Sequence, residues 1–239
     1  MRTQLYPFRS TVGQPLYAYY LIQSAGIFKT AQEVADYKMA DGKLIQPGAK
    51  PGDLKFKDAN GDGKIDDNDR VYLGNAMPKR TYGLTLSGQW KGFDISMLWQ
   101  GVSGVKLFNA YKFSTYNAGL QGYNLDNRVL GAWTPDNPDA TIPRLSLNDA
   151  NKNFSQPSDW FLEDGSYLRL KNLMVGYTLP AGLTSRVRNG SSLRLYITVE
   201  NLFTITNYTG MDPEVGSRGL DQGAYPVPRT LTVGLNMGI

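Results

Sequence analysis

Thr230-Leu231-Thr232-Val233-Gly234-Leu235-Asn236-Met237-Gly238-Ile239 closes the chain. Its apolar side chains fall on every second residue, and those between are small or polar. That period of two marks a β-strand with one apolar face. In a soluble sandwich this face would meet a second sheet. In a transmembrane barrel it would meet lipid, with the polar face toward the lumen. The strand alone leaves both open, so the segments before it bear on the choice.

The same period recurs upstream. Leu193, Leu195, Ile197 and Val199 alternate with Arg194, Tyr196, Thr198 and Glu200. Leu173, Val175, Tyr177 and Leu179 end another strand. Tyr167-Leu168-Arg169-Leu170-Lys171 does not keep their face, so a bulge near Asn172 is expected. Tyr82, Leu84, Leu86 and Trp90, then Lys91-Gly92, then Phe93, Ile95, Met97 and Trp99, read as a hairpin with a two-residue turn. A third strand is expected through 105–113. The connections at Lys91-Gly92 and 185–190 are short, whereas 114–160 and 207–228 are long. Turns that are short at one end and long at the other favour the barrel. In the first long loop, Tyr116, Tyr123 and Trp133 are expected to pack the loop onto itself rather than to stack on a ligand.

Further upstream, Gln14-Pro15-Leu16-Tyr17-Ala18-Tyr19-Tyr20-Leu21 is aromatic and strand-like, and Ser24-Ala25-Gly26-Ile27-Phe28 reads as a turn. Thr30 with Glu33 three residues later predicts a capped short helix over 30–37. Then comes Asp58-Ala59-Asn60-Gly61-Asp62-Gly63-Lys64-Ile65-Asp66-Asp67-Asn68-Asp69, which reads as a calcium loop. Asp58, Asn60 and Asp62 stand at positions 1, 3 and 5, and Gly63 at the sharp turn. Lys64 would offer its carbonyl at position 7, Asp66 would act through water at position 9, and Asp69 would close the loop at position 12. Ca²⁺ is a hard cation, and oxygens on alternate residues of a tight loop can wrap it. Ile65 faces away as an apolar anchor. The competing reading is a turn rich in Asp, Asn and Gly with solvated carboxylates. Pro47-Gly48-Ala49-Lys50-Pro51-Gly52 precedes the loop and cannot be a helix. The site therefore belongs to a β scaffold, with a structural job.

Composition removes several chemistries. Among 239 residues there is no Cys and no His, which excludes disulfides, Ser-His-Asp and Cys-His catalysis and His-bound zinc. A formal net charge of +4, spread along the chain, does not suggest nucleic acid. Tyr is common, at 15 residues against 9 Phe, which with abundant Gly suits a β protein. No apolar run is long enough for a membrane helix, but a membrane strand needs only about 9–11 residues. An enzyme would need acids such as Glu163-Asp164 or Asp212 and Glu214, which lie in loop sequence with nothing to mark a raised pKa.

Several strings together resemble the C-terminal part of SusC/RagA-type TonB-dependent outer-membrane transporters. They are Pro47-Gly48-Ala49-Lys50-Pro51-Gly52-Asp53-Leu54-Lys55-Phe56, the loop at 58–69, Gly74-Asn75-Ala76-Met77-Pro78, Tyr82-Gly83-Leu84 and Trp90-Lys91-Gly92-Phe93-Asp94. Asp164-Gly165-Ser166-Tyr167-Leu168-Arg169-Leu170-Lys171-Asn172-Leu173, Val199-Glu200-Asn201-Leu202-Phe203-Thr204 and Tyr225-Pro226-Val227-Pro228-Arg229-Thr230 continue it. The resemblance implies an all-β fold: the antiparallel C-terminal part of a large transmembrane β-barrel with long extracellular loops. Such barrels have about twenty-two strands and a plug. It implies import of glycans or peptides across a Bacteroidetes-like outer membrane, without bond chemistry. A SusD-like surface lipoprotein would form the lid and TonB would supply energy, while lipid and the rest of the barrel and plug would surround these strands. No stretch here reads as a plug, a TonB box or a signal peptide, and the length suits seven or eight strands. Met1 is expected to begin a separate piece, and Ile239 stands where such barrels prefer Phe. Two regions are expected: 1–79, with the short helix and the calcium loop, and 80–239, with the barrel strands and loops. The alternative is a soluble, calcium-stabilised β-sandwich that binds carbohydrate.

Overall fold

The computed structural model describes residues 7–120, 122–184, 192–216 and 218–238. The expectations for Met1, 185–190 and Ile239 lie outside them. The chain divides into two compact units that interleave in sequence. One contains Met1–Met77, Lys106–Glu163 and Val215–Gly223; the other contains Pro78–Val105, Asp164–Glu214 and Ala224–Ile239.

The second unit is one antiparallel sheet. Its strands are β6 (Arg80–Trp90), β7 (Phe93–Ser103), β10 (Tyr167–Thr178), β11 (Ser192–Thr206) and β13 (Thr230–Gly238). They lie in the order β13-β11-β10-β7-β6, so neighbours in the sheet follow the chain. Trp90 pairs with Phe93 around Lys91-Gly92, whose φ values of 47° and 87° make the tight turn that matches strand twist. The register shifts between Leu170 and Asn172 against both neighbours, where the alternation slips. Asn201, at φ 52°, takes up the matching irregularity in β11. These shifts keep one face apolar from strand to strand. Leu86 pairs with Met97, Met97 with Leu173, Leu173 with Val199, and Val199 with Leu231.

The first unit holds the short strands β1 (Phe8–Arg9), β2 (Ala18–Ile22), β3 (Ser24–Ile27), β4 (Leu54–Phe56), β5 (Arg70–Tyr72), β8 (Lys106–Asn109), β9 (Leu162–Asp164) and β12 (Leu220–Asp221). Its core packs fully buried Tyr19, Leu21, Phe108 and Phe161, with a second cluster of Ile22, Leu54 and Phe56. Trp160 touches both, and also a third cluster of Tyr116, Val129 and Phe154. Helix α1 (Ala31–Asp36) is capped by Thr30, which accepts the Glu33 N–H. The Glu33 carboxylate accepts instead from Lys29 N, at 2.6 Å.

Two expectations change. The strand through 105–113 is the short β8, followed by α2 (Lys112–Thr115), and β8 joins β9 and β12 rather than the long sheet. A short apolar run such as Val105-Lys106-Leu107-Phe108 does not reveal which sheet it enters. The stretch Ser24–Phe28, expected to turn, instead forms β3 over Ser24–Ile27, paired with β4. The long segment 114–160 packs onto itself through Tyr116, as expected. It buries Tyr116, Val129 and Phe154, and Asn151 and Asn153 tie it to β4 through hydrogen bonds to Leu54.

Candidate functional site

The loop at 58–69 folds around two carboxylates. Asp58 Oδ1 accepts from the N–H groups of Gly61 (2.7 Å) and Asp62 (3.2 Å), and its Oδ2 accepts from Gly63 (2.8 Å). Asp69 is fully buried and accepts from Ala59 N and Asp66 N, each at 2.8 Å. Gly61 and Gly63 sit at φ 76° and 80°, the left-handed region that glycine enters without strain. A side chain at Gly63 would also run into Met39, 2.8 Å from an ideal Cβ. Ile65 packs against the cluster of Ile22, Leu54 and Phe56, as its position 8 implies.

The six expected ligands thus share one loop. Asn60, Asp62 and Lys64 are exposed, Asp58 and Asp66 are half-buried, and Asp69 is buried. Asp62 Oδ1 accepts from Lys64 N at 3.2 Å, and Asn60 Oδ1 accepts from Asp62 N at 3.0 Å. The Lys64 ammonium lies 2.9 Å from Asp66 Oδ2 and 3.7 Å from Asp62 Oδ2. With the Asn68 N–H, it holds the Asp66 carboxyl below the usual carboxylate range. Among the described residues no three acidic side chains are arranged to hold a metal ion. As donors the six are all oxygen, which suits a hard cation. Their carboxylates are turned onto backbone N–H groups and Lys64.

The long sheet carries its own constellation. Its apolar face is open: Leu84, Leu86, Trp90, Ile95, Val175, Ile197, Leu231, Val233 and Leu235 are all exposed. Val233 is 71% exposed, a value no sandwich core permits. The opposite face is polar, and Asp94 of β7 reaches Arg194 of β11 across Gly176 of β10, with Arg194 Nε 2.9 Å from Asp94 Oδ1. Glycine at 176 leaves that pair room, since an ideal Cβ there would lie 2.5 Å from both partners.

A second ionic cluster pins the segment after β11. Arg169 is buried in β10 and donates to Asp212 Oδ1 (2.6 Å), Glu214 Oε2 (2.8 Å) and Thr204 Oγ1 (2.7 Å). Lys171 adds a 2.7 Å contact to Glu214. Asp212 Oδ2 accepts the Val227 N–H at 3.1 Å. Burial would raise the Asp212 carboxyl, but the N–H of Glu214, the Arg169 guanidinium and the N–H of Val227 outweigh it and hold it below the usual range. The acids considered for an enzyme are therefore engaged, since Glu163 likewise pairs with Lys112 at 2.7 Å.

Sequence reasoning did not find the buried Asp53 and its partners Arg144 and Asn153. Arg144 Nε lies 2.7 Å from Asp53 Oδ1 as an ion pair, and Asn153 Nδ2 donates to the same oxygen at 2.7 Å. The sequence separation between Asp53 and Arg144 left no local signal. Of the loop aromatics, Tyr116 is in the core and Trp133 lies over Gly52, while Tyr123 is 61% exposed.

No family model matches the chain. It is 33% identical over 198 residues to TonB-dependent receptor P3 of Formosa agariphila, covering 78% of this chain and 19% of that protein. It is 30% identical over 195 residues to TonB-dependent receptor SusC of Bacteroides thetaiotaomicron, covering 82% of this chain and 18% of SusC. In structure it is similar to the RagAB peptide transporter, with a TM-score of 0.67 at 26% identity, covering 92% of this chain and 22% of that one. The same importer in its open-open state gives a TM-score of 0.69. The chain spans about a fifth of the length of the curated relatives it matches. By sequence and by its all-β, antiparallel fold, the chain is a homologue of one portion of the SusC/RagA-type TonB-dependent receptors.

Proposed function

We propose that this chain is the C-terminal barrel portion of an outer-membrane importer that takes up glycans or peptides with energy from TonB. The observation that carries the reading is the open apolar face running unbroken across all five strands of the long sheet. A face of that kind needs lipid against it, and the polar face with Asp94 and Arg194 then lines a lumen. The soluble sandwich would instead cover those side chains. A SusD-like lipoprotein as lid, the plug and the rest of the barrel are the partners this reading calls for, in a Bacteroidetes-like outer membrane.

In the same reading calcium is a structural ion of the loop at 58–69. Asp58, Asn60, Asp62, Asp66, Asp69 and the Lys64 carbonyl would hold it, and it would stiffen the loop without taking part in transport chemistry. The oxygen-only donor set, the two left-handed glycines and the Ile65 anchor support it. Binding would require the Lys64 ammonium to leave Asp66 and Asp62.

Extraction from native membranes tests the importer. The expected result is a chain released only by detergent, as part of a longer polypeptide and with a lipoprotein co-purifying. Release as a soluble monomer would restore the sandwich.

A further inference from the structure

At the long-loop end of the five-stranded sheet, part of the polar face is covered. Leu170 of β10 pairs with Trp99 and Phe203 on the apolar face, so Arg169 points to the polar face, as does Tyr167 two residues before it. Both are buried, Arg169 at 3% exposure and Tyr167 at 6%. Farther along the same face Thr85, Ser87 and Glu200 are exposed. The cover is the chain that leaves β11. Asp212 and Glu214 bond to Arg169, and Tyr208 and Asp212 are buried in turn. Because β10 lies between β7 and β11, residues 212–214 reach Arg169 only by crossing over the polar face.

The bulge in β10 serves this contact. Lys171 is the residue inserted between Leu170 and Asn172 against both neighbouring strands, and a bulge re-aims the side chain it carries. The Lys171 ammonium lies 3.0 and 2.7 Å from the two Glu214 oxygens, beside Arg169. Two cations of the strand thus hold two carboxylates of the arm at 207–214. The Arg169 fork is committed to Asp212, Glu214 and Thr204, and a planar guanidinium bound to several acceptors fixes position as well as charge. Asp212 also accepts the Val227 N–H, which ties the returning chain to the same point.

We propose that the arm at 207–214 is a fixed constriction of the lumen, with Arg169 as its positioning residue and Lys171 as its second anchor. A layer of chain packed on a sheet stands about 10 Å above it, so the passage beside β10 and β11 narrows by that amount and screens what enters by width. That the covered face lines a passage rests on the importer reading above; the covering itself does not.

The test uses the full-length receptor in intact cells, with Glu200→Cys as its sole cysteine. Glu200 is exposed on the polar face and pairs with Asn172, past the arm as counted from the long-loop end. A small maleimide measures the reactivity of the thiol, and a long polyethylene-glycol maleimide added outside measures passage over the arm. With Arg169 in place the small reagent should react and the long one should lag. Arg169→Gln frees the arm and should raise the long-to-small rate ratio roughly tenfold. Glu214→Gln leaves Arg169 on Asp212 and Thr204, should raise the ratio less, and reads the same effect if Arg169→Gln does not fold. A general loosening raises both rates together, leaves the ratio unchanged and overturns the constriction. A long reagent that keeps pace with the small one before any change at Arg169 also overturns it. So does a ratio that neither variant moves, because another part of the receptor then closes this sector. A raised ratio in a receptor released without detergent keeps the folded arm but overturns its place in a lumen, together with the importer.

Discussion

At the scale of single residues, Asp212 and Asp62 make opposite uses of a carboxylate. Asp212 is committed: Arg169, Glu214 N and Val227 N all donate to it. Its carboxyl titrates below the ordinary value of about 3.8, so it is charged in the folded protein at pH values where the unfolded chain would already bind protons. Its contribution to stability is therefore complete at neutral pH. It declines as the pH falls below that ordinary value and is gone beneath the depressed one. Asp212→Asn should cost about 3 kcal/mol, the lower end for breaking a buried pair, because Glu214 still faces Arg169. Thermal unfolding of the membrane-embedded receptor against pH should show a loss in acid that the variant lacks; matching profiles would remove Asp212 from the account. Asp62, by contrast, is exposed and its carboxylate bonds only within its own loop, so it is available to an ion. Asp62→Ala should weaken calcium binding by about tenfold or more, each factor of ten being 1.4 kcal/mol. Protease cutting within 47–75 should slow with calcium in the parent chain and not in the variant. Cutting indifferent to chelator in the parent would count against a structural ion.

Single elements carry the membrane reading, and here substitutions on alternate residues of one strand separate the faces. Leu235 in β13 pairs with Leu195 on the apolar side, and Thr232 pairs with Thr198 on the polar side. Leu235→Arg should cost roughly 2–4 kcal/mol at mid-bilayer, whereas Thr232→Arg should be near neutral. The yield of heat-modifiable, folded receptor in outer membranes reads both, and equal yields would sink the lipid-facing assignment. The period of two made these strands legible in sequence, as did the glycine in the Lys91-Gly92 turn. The slip after Lys171 was legible too, because Leu170 and Leu173 cannot share a face without an inserted residue. What the period could not convey was partnership. The run at 105–108 looks much like a third barrel strand, yet its partners β9 and β12 lie far along the chain and carry no local mark. The same holds for Asp53, whose burial depends on Arg144 and Asn153 arriving from a segment that reads as loop.

For the molecule as a whole, the decisive feature is that the long sheet ends in two open strands. Among the described residues β6 pairs only with β7, and β13 only with β11. Each presents an unpaired row of backbone groups next to an exposed apolar face. On the importer reading, an unsatisfied edge in the hydrocarbon of a bilayer is not tolerated, and other strands would pair these two, as in a closed barrel. Sequence patterns implied the faces but not the edges, since which strand ends a sheet depends on the full order of pairing. The consequence is measurable by light scattering on chains refolded in detergent. The 239-residue chain alone should associate through its edges into mixed oligomers, while the longer polypeptide that supplies the neighbouring strands should run as a single species. Adding Lys at alternate polar-face positions of β6, Thr85 and Ser87, should leave the association intact, because the edge groups belong to the backbone. Pro at the same positions should reduce it by removing donors. A monodisperse monomer from the short chain, with its apolar face still exposed, would mean that the edges are satisfied within these residues, and the barrel assignment would fall with them.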